Sequence, residues 1–341
     1  MKVLVAMSGG VDSSVAAALL RDAGHEVTGV TLKLWGGDSD SGCCSVADVE
    51  DARRVAQQLD LPHYVFNLTE EFDARVVDPY VAAHAAGRTP NPCVECNRSV
   101  KWGLLLDRCR TLGFDALATG HHARIARDGA GRAWIERGAD PAKDQSYVLA
   151  VLDGAAVADT LLPVGELTKA DVRARAEALG LRTATKAESM DVCFIRRGAR
   201  AEFLRTRLPA APGPVVDLDG TPVGEHEDLA GFTIGQRRGT GVAAGERRYV
   251  VDLDVATATV VLGRREDLLR DRLELSGFTP THGSIADGTE VLVQTSAHGA
   301  PVPGVLDGST LRLGEARPRV APGQVVALYV GDRVVAGAYA A

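Results

Sequence analysis

The chain has 341 residues and a formal net charge of −7, from 38 Lys plus Arg against 45 Asp plus Glu. At ~150 residues per domain that length predicts two to three domains, with enough core to stand without disulfide staples. No apolar run reaches ~18 residues and the chain opens on MKVLVAMSGG with no leader pattern, so a cytoplasmic protein without membrane association is expected, and the acidic balance by itself argues against nucleic acid as a partner.

Residues 2–7, KVLVAM, form an apolar run that reads as a buried strand. Ser8-Gly9-Gly10 then interrupts the chain before VDSSVAAALLRDAG, which reads as a helix ending at Gly24. A second strand is predicted over 26–34, a helix over 45–59 and a strand over 63–68. Helices are predicted over 69–87 and 97–113, a strand over 115–120, and a helix from Thr168, with Asp171 as its cap partner, to Gly180. Strands alternating with helices imply right-handed crossovers and a mainly parallel sheet. After about residue 205 the helical period is lost. Short Val-rich runs follow, separated by turn signals such as Asp219-Gly220 and Asp307-Gly308, and predict small β modules of barrel type. The expected domains are 1–205, 206–265 and 266–341.

The segment Ser8-Gly9-Gly10-Val11-Asp12-Ser13-Ser14 carries the first chemical signal. It follows a strand and opens a helix, where two glycines admit an anion close to the backbone and unpaired N–H groups point at it. No Lys follows the glycines, which separates it from the G-x-x-x-x-G-K-[ST] loop. Asp12 beside a phosphate calls for an intervening Mg²⁺. The string resembles the PP-loop of ATP pyrophosphatases, which cleave ATP between the α and β phosphates and adenylate a substrate oxygen.

Six cysteines, Cys43, Cys44, Cys93, Cys96, Cys109 and Cys193, point to metal binding or thiol chemistry rather than a disulfide framework. In GRTPNPCVECN (87–97) two prolines stiffen the chain, and a helix starting near Cys96-Asn97 would make Cys96 a candidate nucleophile. Cys193 lies in ESMDVCFI (188–195). Cys109, in a helical run, reads as core, and the adjacent pair Cys43-Cys44 carries no clear role. Trp35, Trp102 and Trp134 read as packing residues. The basic residues are 6 Lys and 32 Arg, a bias that reads first as codon usage. Arg196-Arg197-Arg200, Arg237-Arg238, Arg247-Arg248 and Arg264-Arg265 form clusters that suit a phosphate-binding stripe.

In chain order, SGGVDSS, GRTPNPCVECN, ATGHHAR, KDQSYVL, LLPVGEL, ESMDVCFI and FTIGQRRG together resemble the tRNA-specific 2-thiouridylase family over the whole chain. The resemblance implies an α/β fold: a PP-loop (adenine nucleotide α-hydrolase-like) parallel-sheet domain, a small central domain and a C-terminal β-barrel. It implies ATP-dependent 2-thiolation of the tRNA wobble uridine. ATP would be held by Ala6, Met7, Ser8, Gly9, Gly10, Val11, Asp12 and Ser13, with Leu32 and Gly120 at the adenosine. Cys193 would carry a persulfide and Cys96 would be its partner, the two ending as a disulfide if the persulfide sulfur attacks directly. Asn91, Pro92 and Cys93 would line the target-base pocket. His121, Lys143, Asp144, Gln145 and Gln324 would contact tRNA, and a cysteine desulfurase or relay protein would deliver sulfur.

Two departures from the family pattern matter. Much of the family has Asp at the position of Cys93. With Cys93, Cys96 and Cys193 as three thiolates, a 4Fe-4S cluster holding hydrosulfide stands beside persulfide chemistry, and a Zn²⁺ site lacks a fourth ligand. In the barrel, Val293-Gln294-Thr295-Ser296-Ala297-His298 lacks the Arg-Tyr pair common in the family. The competing readings are a PP-loop ligase acting on a small metabolite, and a sulfur-carrier module with a vestigial loop.

Overall fold

The computed structural model describes residues 1–35, 46–187, 192–195, 198–242 and 247–341. Cys43, Cys44, Arg196, Arg197 and the 188–191 part of the Cys193 motif lie outside the described residues.

β1 (Lys2–Ala6) is the centre of the first sheet. Its Val3, Leu4 and Val5 are buried, the continuous apolar pattern of a strand covered on both faces. α1 (Val11–Asp22), β2 (Glu26–Lys33), α2 (Val46–Gln58) and β3 (His63–Asn67) follow as the alternation predicts. A helical rod then runs through α3 (Thr69–Phe72), a π-wound turn (Asp73–Val77) and α4 (Asp78–Ala85). With β4 (Ala116–Ala118) and β7 (Thr160–Leu161) the parallel sheet has the order β3-β2-β1-β4-β7. β1 lies between β2 and β4, where the winding reverses. In open α/β sheets the crevice at the carboxyl ends of such strands is the ligand site.

One local expectation needs correction. The helix expected from about Cys96-Asn97 begins at Pro92: α5 (Pro92–Glu95) runs into a π-wound stretch (Cys96–Leu105) and α6 (Leu106–Thr111). Asn91 is the N-cap, its side chain accepting from the Cys93 N–H at 3.0 Å, and Pro92 takes the first helical position, where its missing N–H costs nothing. The prolines that read as stiff extended chain are a helix-start signal. Residues 123–137, to which the sequence assigned no element, depart from the alternation. They form a hairpin, β5 (Ala123–Arg127) and β6 (Ala133–Arg137), that leaves the parallel sheet and joins the barrel, β6 meeting the last strand at Glu136 and Arg333.

α7 (Gly154–Ala158) precedes β7, and α8 (Lys169–Ala178) starts with the expected capping box of Thr168 and Asp171. α9 (Arg200–Arg205) leads into a small sheet of β8 (Gly213–Asp217), β9 (Pro222–His226), β10 (Tyr249–Asp254) and β11 (Thr259–Gly263). Six antiparallel strands complete the chain: β12 (Leu269–Pro280), β13 (Thr289–Gln294), β14 (Val302–Asp307), β15 (Thr310–Pro318), β16 (Val325–Val330) and β17 (Arg333–Ala340). Pairing of β12 with β17 closes them into the expected barrel. The barrel is not packed separately. Val325, Ala327 and Tyr329 of β16 share one core with Leu117, Tyr147 and Leu149 of the N-terminal unit. Tyr147 Oη donates to the Val325 carbonyl at 2.9 Å, and Ser146 Oγ lies 3.0 Å from Tyr329 Oη.

Candidate active site

The glycine-rich loop sits at the carboxyl end of β1, at the reversal point of the sheet. Gly9 takes a left-handed φ of 71°, and a Cβ there would strike the Asp48 carbonyl at the start of α2. Across the crevice, a Cβ on Gly120 would lie 2.5 Å from Ser13 N and 2.6 Å from the Asp12 carbonyl carbon. Glycine at 120 therefore lets the segment after β4 press onto the first turn of α1. Inside the loop Ser13 Oγ accepts from the Ser8 N–H at 3.2 Å and donates to the Gly10 carbonyl at 3.1 Å, and Ser14 Oγ donates to the same carbonyl at 2.8 Å. These bonds hold the loop in shape.

A cavity of about 530 Å³ opens over the loop. It is lined by Ala6, Met7, Ser8, Gly10, Val11, Asp12 and Ser13, and by Leu32 and Gly120, which gathers the expected nucleotide residues apart from Gly9. Gly9 faces the site through its carbonyl, which accepts from Lys186 Nζ at 3.0 Å.

The charges around the loop were not legible in the motif. Of the six lysines in the chain, Lys101, Lys143, Lys169 and Lys186 line this cavity. Lys169, at the first position of α8, donates to both Asp12 oxygens at 2.7 Å, and Asp12 Oδ1 also accepts from Nε2 of the buried His122 at 3.0 Å. Burial alone would raise the Asp12 carboxyl. The bonds from His122 and Lys169 outweigh it and hold the group below the usual carboxylate range. Lys186 bridges Asp48 at 2.6 Å and Asp51 at 2.7 Å. Burial works against its charge, but the two carboxylates raise its pKa above the ordinary lysine value. The loop thus lacks its own lysine and receives two from the far C-terminal part of the unit. The signal was in the composition: lysine is scarce in this chain and two-thirds of it is spent here.

The residues expected at tRNA divide into two groups. His121 and Lys143 line the cavity. His121 Nδ1 is 2.7 Å from Thr119 Oγ1, and burial, with Lys101 and His122 nearby, holds the imidazole well below its usual range. The Asp144 and Gln145 side chains also border the cavity but are committed to structure. Asp144 accepts from Gly138 N–H, Ser146 N–H and Ser146 Oγ at 2.9–3.0 Å and from Arg137 at 3.1 Å. Gln145 Oε1 accepts from the His122 N–H at 2.9 Å. Gln324 is not part of the cavity lining, and its Nε2 donates to the Thr89 carbonyl at 2.7 Å. Ala297 and His298, in the barrel segment where no family pair could be placed, line the cavity.

Cys96 lies a full turn inside its helix and is buried, whereas Cys93 is exposed in the first turn, where the helix dipole acts. The helix dipole therefore acts on Cys93 and not on Cys96. Asn91 spends its side-chain oxygen on the cap, and Pro92 is buried. Cys193 is partly exposed and packs on the same core cluster as Cys96. It is anchored by its neighbour Phe194, whose ring meets Trp35, Phe72, Tyr80 and Phe203 at centroid distances of 5.3–5.9 Å. Among the described residues no group of three His, Cys, Asp or Glu side chains is placed to hold a metal ion. Cys93 and Cys96 lie one helical turn apart, and Cys193 packs on the same core cluster as Cys96. Cys109 is core as expected, its thiol pushed up to about 11 by burial.

A parallel sheet with a glycine-rich loop at its reversal point, under a lysine-lined cavity, defines a nucleotide-binding protein of the PP-loop class. Residues 1–197 match the family described as tRNA methyl transferase HUP domain, and residues 201–264 match the tRNA methyl transferase PRC-barrel domain. Over 351 residues the chain is 46% identical to the tRNA-specific 2-thiouridylase MnmA of Chloroflexus aggregans, covering 99% of this chain and 98% of the relative. The corresponding protein of Kineococcus radiotolerans is 47% identical over 356 residues, with 99% and 98% covered, and that of Roseiflexus sp. 46% over 365 residues, with 98% of each covered. The chain belongs to the tRNA-specific 2-thiouridylase family.

Proposed function

We propose that this protein catalyses ATP-dependent 2-thiolation of the wobble uridine of tRNA. The observation that carries the reading is the gathering of four of the six lysines around the PP-loop, in a cavity whose wall includes Lys101 of the helix that bears Cys96. Such a cavity suits a polyphosphate at one end and a reacting group at the other.

In this reading the loop N–H groups and Ser8 bind the ATP phosphates while Lys169 and Lys186 offset their charge. Mg²⁺ would supply charge neutralisation at the ATP phosphates, and Asp12, released from Lys169, would be the loop carboxylate to hold it. The uridine O2 attacks the α-phosphorus, pyrophosphate leaves, and the adenylated oxygen becomes a leaving group. A persulfide on Cys193, loaded by a cysteine desulfurase or a relay protein, then supplies sulfur. Its terminal sulfur bonds to C2, AMP departs with the oxygen, and the Cys96 thiolate attacks the Cys193 Sγ as the S–S bond breaks. The products are 2-thiouridine, AMP and a Cys96–Cys193 disulfide, which an external thiol reduces for the next cycle. In the alternative order, Cys96 first attacks Cys193 Sγ and releases hydrogen sulfide, which adds to C2. The target base has to leave the anticodon stack to reach either sulfur. His121, Lys143 and the exposed Arg237, Arg238, Arg247 and Arg265 are the groups we assign to tRNA. Asp144 and Gln145 shape the loop that presents Lys143.

ATP–pyrophosphate exchange with and without tRNA tests the reading. Exchange that requires tRNA is the expected result. Exchange indifferent to tRNA would point to a ligase for a small metabolite.

A further inference from the structure

The segment 87–92 joins α4 to the helix of Cys93 and Cys96, and the barrel turn packs against it at Arg88, Thr89 and Pro90, with its hydrogen bonds at Thr89. Thr89 is buried, and both of its backbone groups are taken by the turn that precedes β16. Its N–H donates to the Pro322 carbonyl at 2.8 Å, and its carbonyl accepts from Gln324 Nε2 at 2.7 Å. The small sheet unit holds the same strap from another side. Thr89 Oγ1 donates to Thr233 Oγ1 at 3.3 Å, and a Cβ on Gly87 would lie 2.8 Å from Val255 Cγ2. From Thr89 to Cys96 the chain has little slack. Pro90 fixes one φ, Asn91 is locked to the Cys93 N–H at 3.0 Å, and Pro92 fixes the first helical residue. A shift at Thr89 is therefore passed to the helix that carries both cysteines.

We infer that Gln324 is a positioning residue for Cys96: the barrel turn sets the place of the cysteine helix through the Thr89 carbonyl. The side-chain donor that the family resemblance assigns to tRNA is spent inside the protein. Gln324 Oε1 is not needed for this role. The link to catalysis rests on the proposed thiolation, whereas the link to Cys96 does not.

Gln324→Ala removes the donor, and Gln324→Glu keeps the shape but sets a carboxylate oxygen against the Thr89 carbonyl. Three quantities are measured on the full chain: the dissociation constant for tRNA, the rate of Cys96 alkylation by iodoacetamide followed by peptide mass spectrometry, and single-turnover thiolation. Misplacement of a reacting group by about 1 Å costs on the order of a hundredfold in rate. Both variants are expected to lose at least tenfold in thiolation, to alkylate the normally buried Cys96 several-fold faster, and to bind tRNA within about threefold of the parent. The Glu variant, being isosteric, carries the test should the Ala variant fail to fold. Tenfold weaker tRNA binding with unchanged Cys96 alkylation would overturn the inference and make Gln324 a tRNA contact. Unchanged alkylation in both variants, whatever the tRNA affinity, would also overturn it. If the parent protein thiolates no tRNA, the proposed activity fails while the alkylation arm still decides the positioning role.

Discussion

Gly120 shows how much of the site depends on one missing methyl group. A Cβ there would sit 2.5 Å from Ser13 N and 2.6 Å from the Asp12 carbonyl carbon, so Gly120→Ala has to push the segment after β4 away from the loop. The expected outcome is at least a tenfold loss of ATP affinity by calorimetry, about 1.4 kcal/mol, with a near-parental circular dichroism spectrum. The sequence placed Gly120 at the adenosine through resemblance, but the contact across the crevice is between residues more than a hundred positions apart and needed the fold. The same holds for Lys169 and Lys186. Thr168 and Asp171 were legible as a helix start, which puts Lys169 at its first position, yet nothing local says that this amine meets Asp12. The resemblance singled out His121 and not its neighbour. It is the ring of His122 that is bonded to Asp12.

At the scale of elements, period and caps were read well where a single strand or helix was involved. The strand at 2–7, the loop after it and the capping box at Thr168 stand in the structure with boundaries shifted by a residue or two. The start of the cysteine helix was misread because Pro is ambiguous: it breaks helices internally and favours their first position. Asn91 two residues before Cys93 was the missed signal, since Asn-Pro is an N-cap followed by N1. Removing the cap in Asn91→Ala should cost about 1 kcal/mol of stability, seen as a lower urea midpoint, and should leave the first turn of that helix frayed around Cys93. A variant as stable as the parent would show that the cap is dispensable. The hairpin 123–137 was out of reach for another reason. Its strands are short and polar on one face, and only the partner strand β17, two hundred residues later, gives them a sheet to join.

For the molecule as a whole, buried histidines tie stability to pH. His84 is buried among Tyr80 and the α4 rod, and burial, with Arg200 nearby, lowers its pKa from 6.5 to about 4. His63 and His121 are lowered as well, chiefly by burial. In the unfolded chain these rings take up protons from about pH 6.5 downward while the folded protein refuses them, so stability is full above pH 6.5 and falls as the pH drops toward 4. The slope from one such group is at most about 1.4 kcal/mol per pH unit. The urea midpoint should fall between pH 7 and pH 5, and His84→Leu should flatten that fall; an unchanged slope would remove His84 from the account. Net charge is the other whole-molecule quantity. The sum of −7 seemed to disfavour nucleic acid, but it averages over a surface on which lysine is concentrated in one cavity and Arg237, Arg238, Arg247 and Arg265 stand exposed. Where the charges lie is set by the fold, which a sum cannot report.

The central claim is that Cys193 hands sulfur to a tRNA uridine that ATP has activated. Its most direct test is one turnover of protein carrying a persulfide on Cys193, mixed with ATP, Mg²⁺ and tRNA. Nucleoside analysis of digested tRNA is read beside AMP and the Cys96–Cys193 disulfide. The account predicts one thiolated uridine for each AMP, none without tRNA or ATP, and none from Cys193→Ser. Thiolated uridine produced by Cys193→Ser, or AMP released at full rate without tRNA, would contradict it.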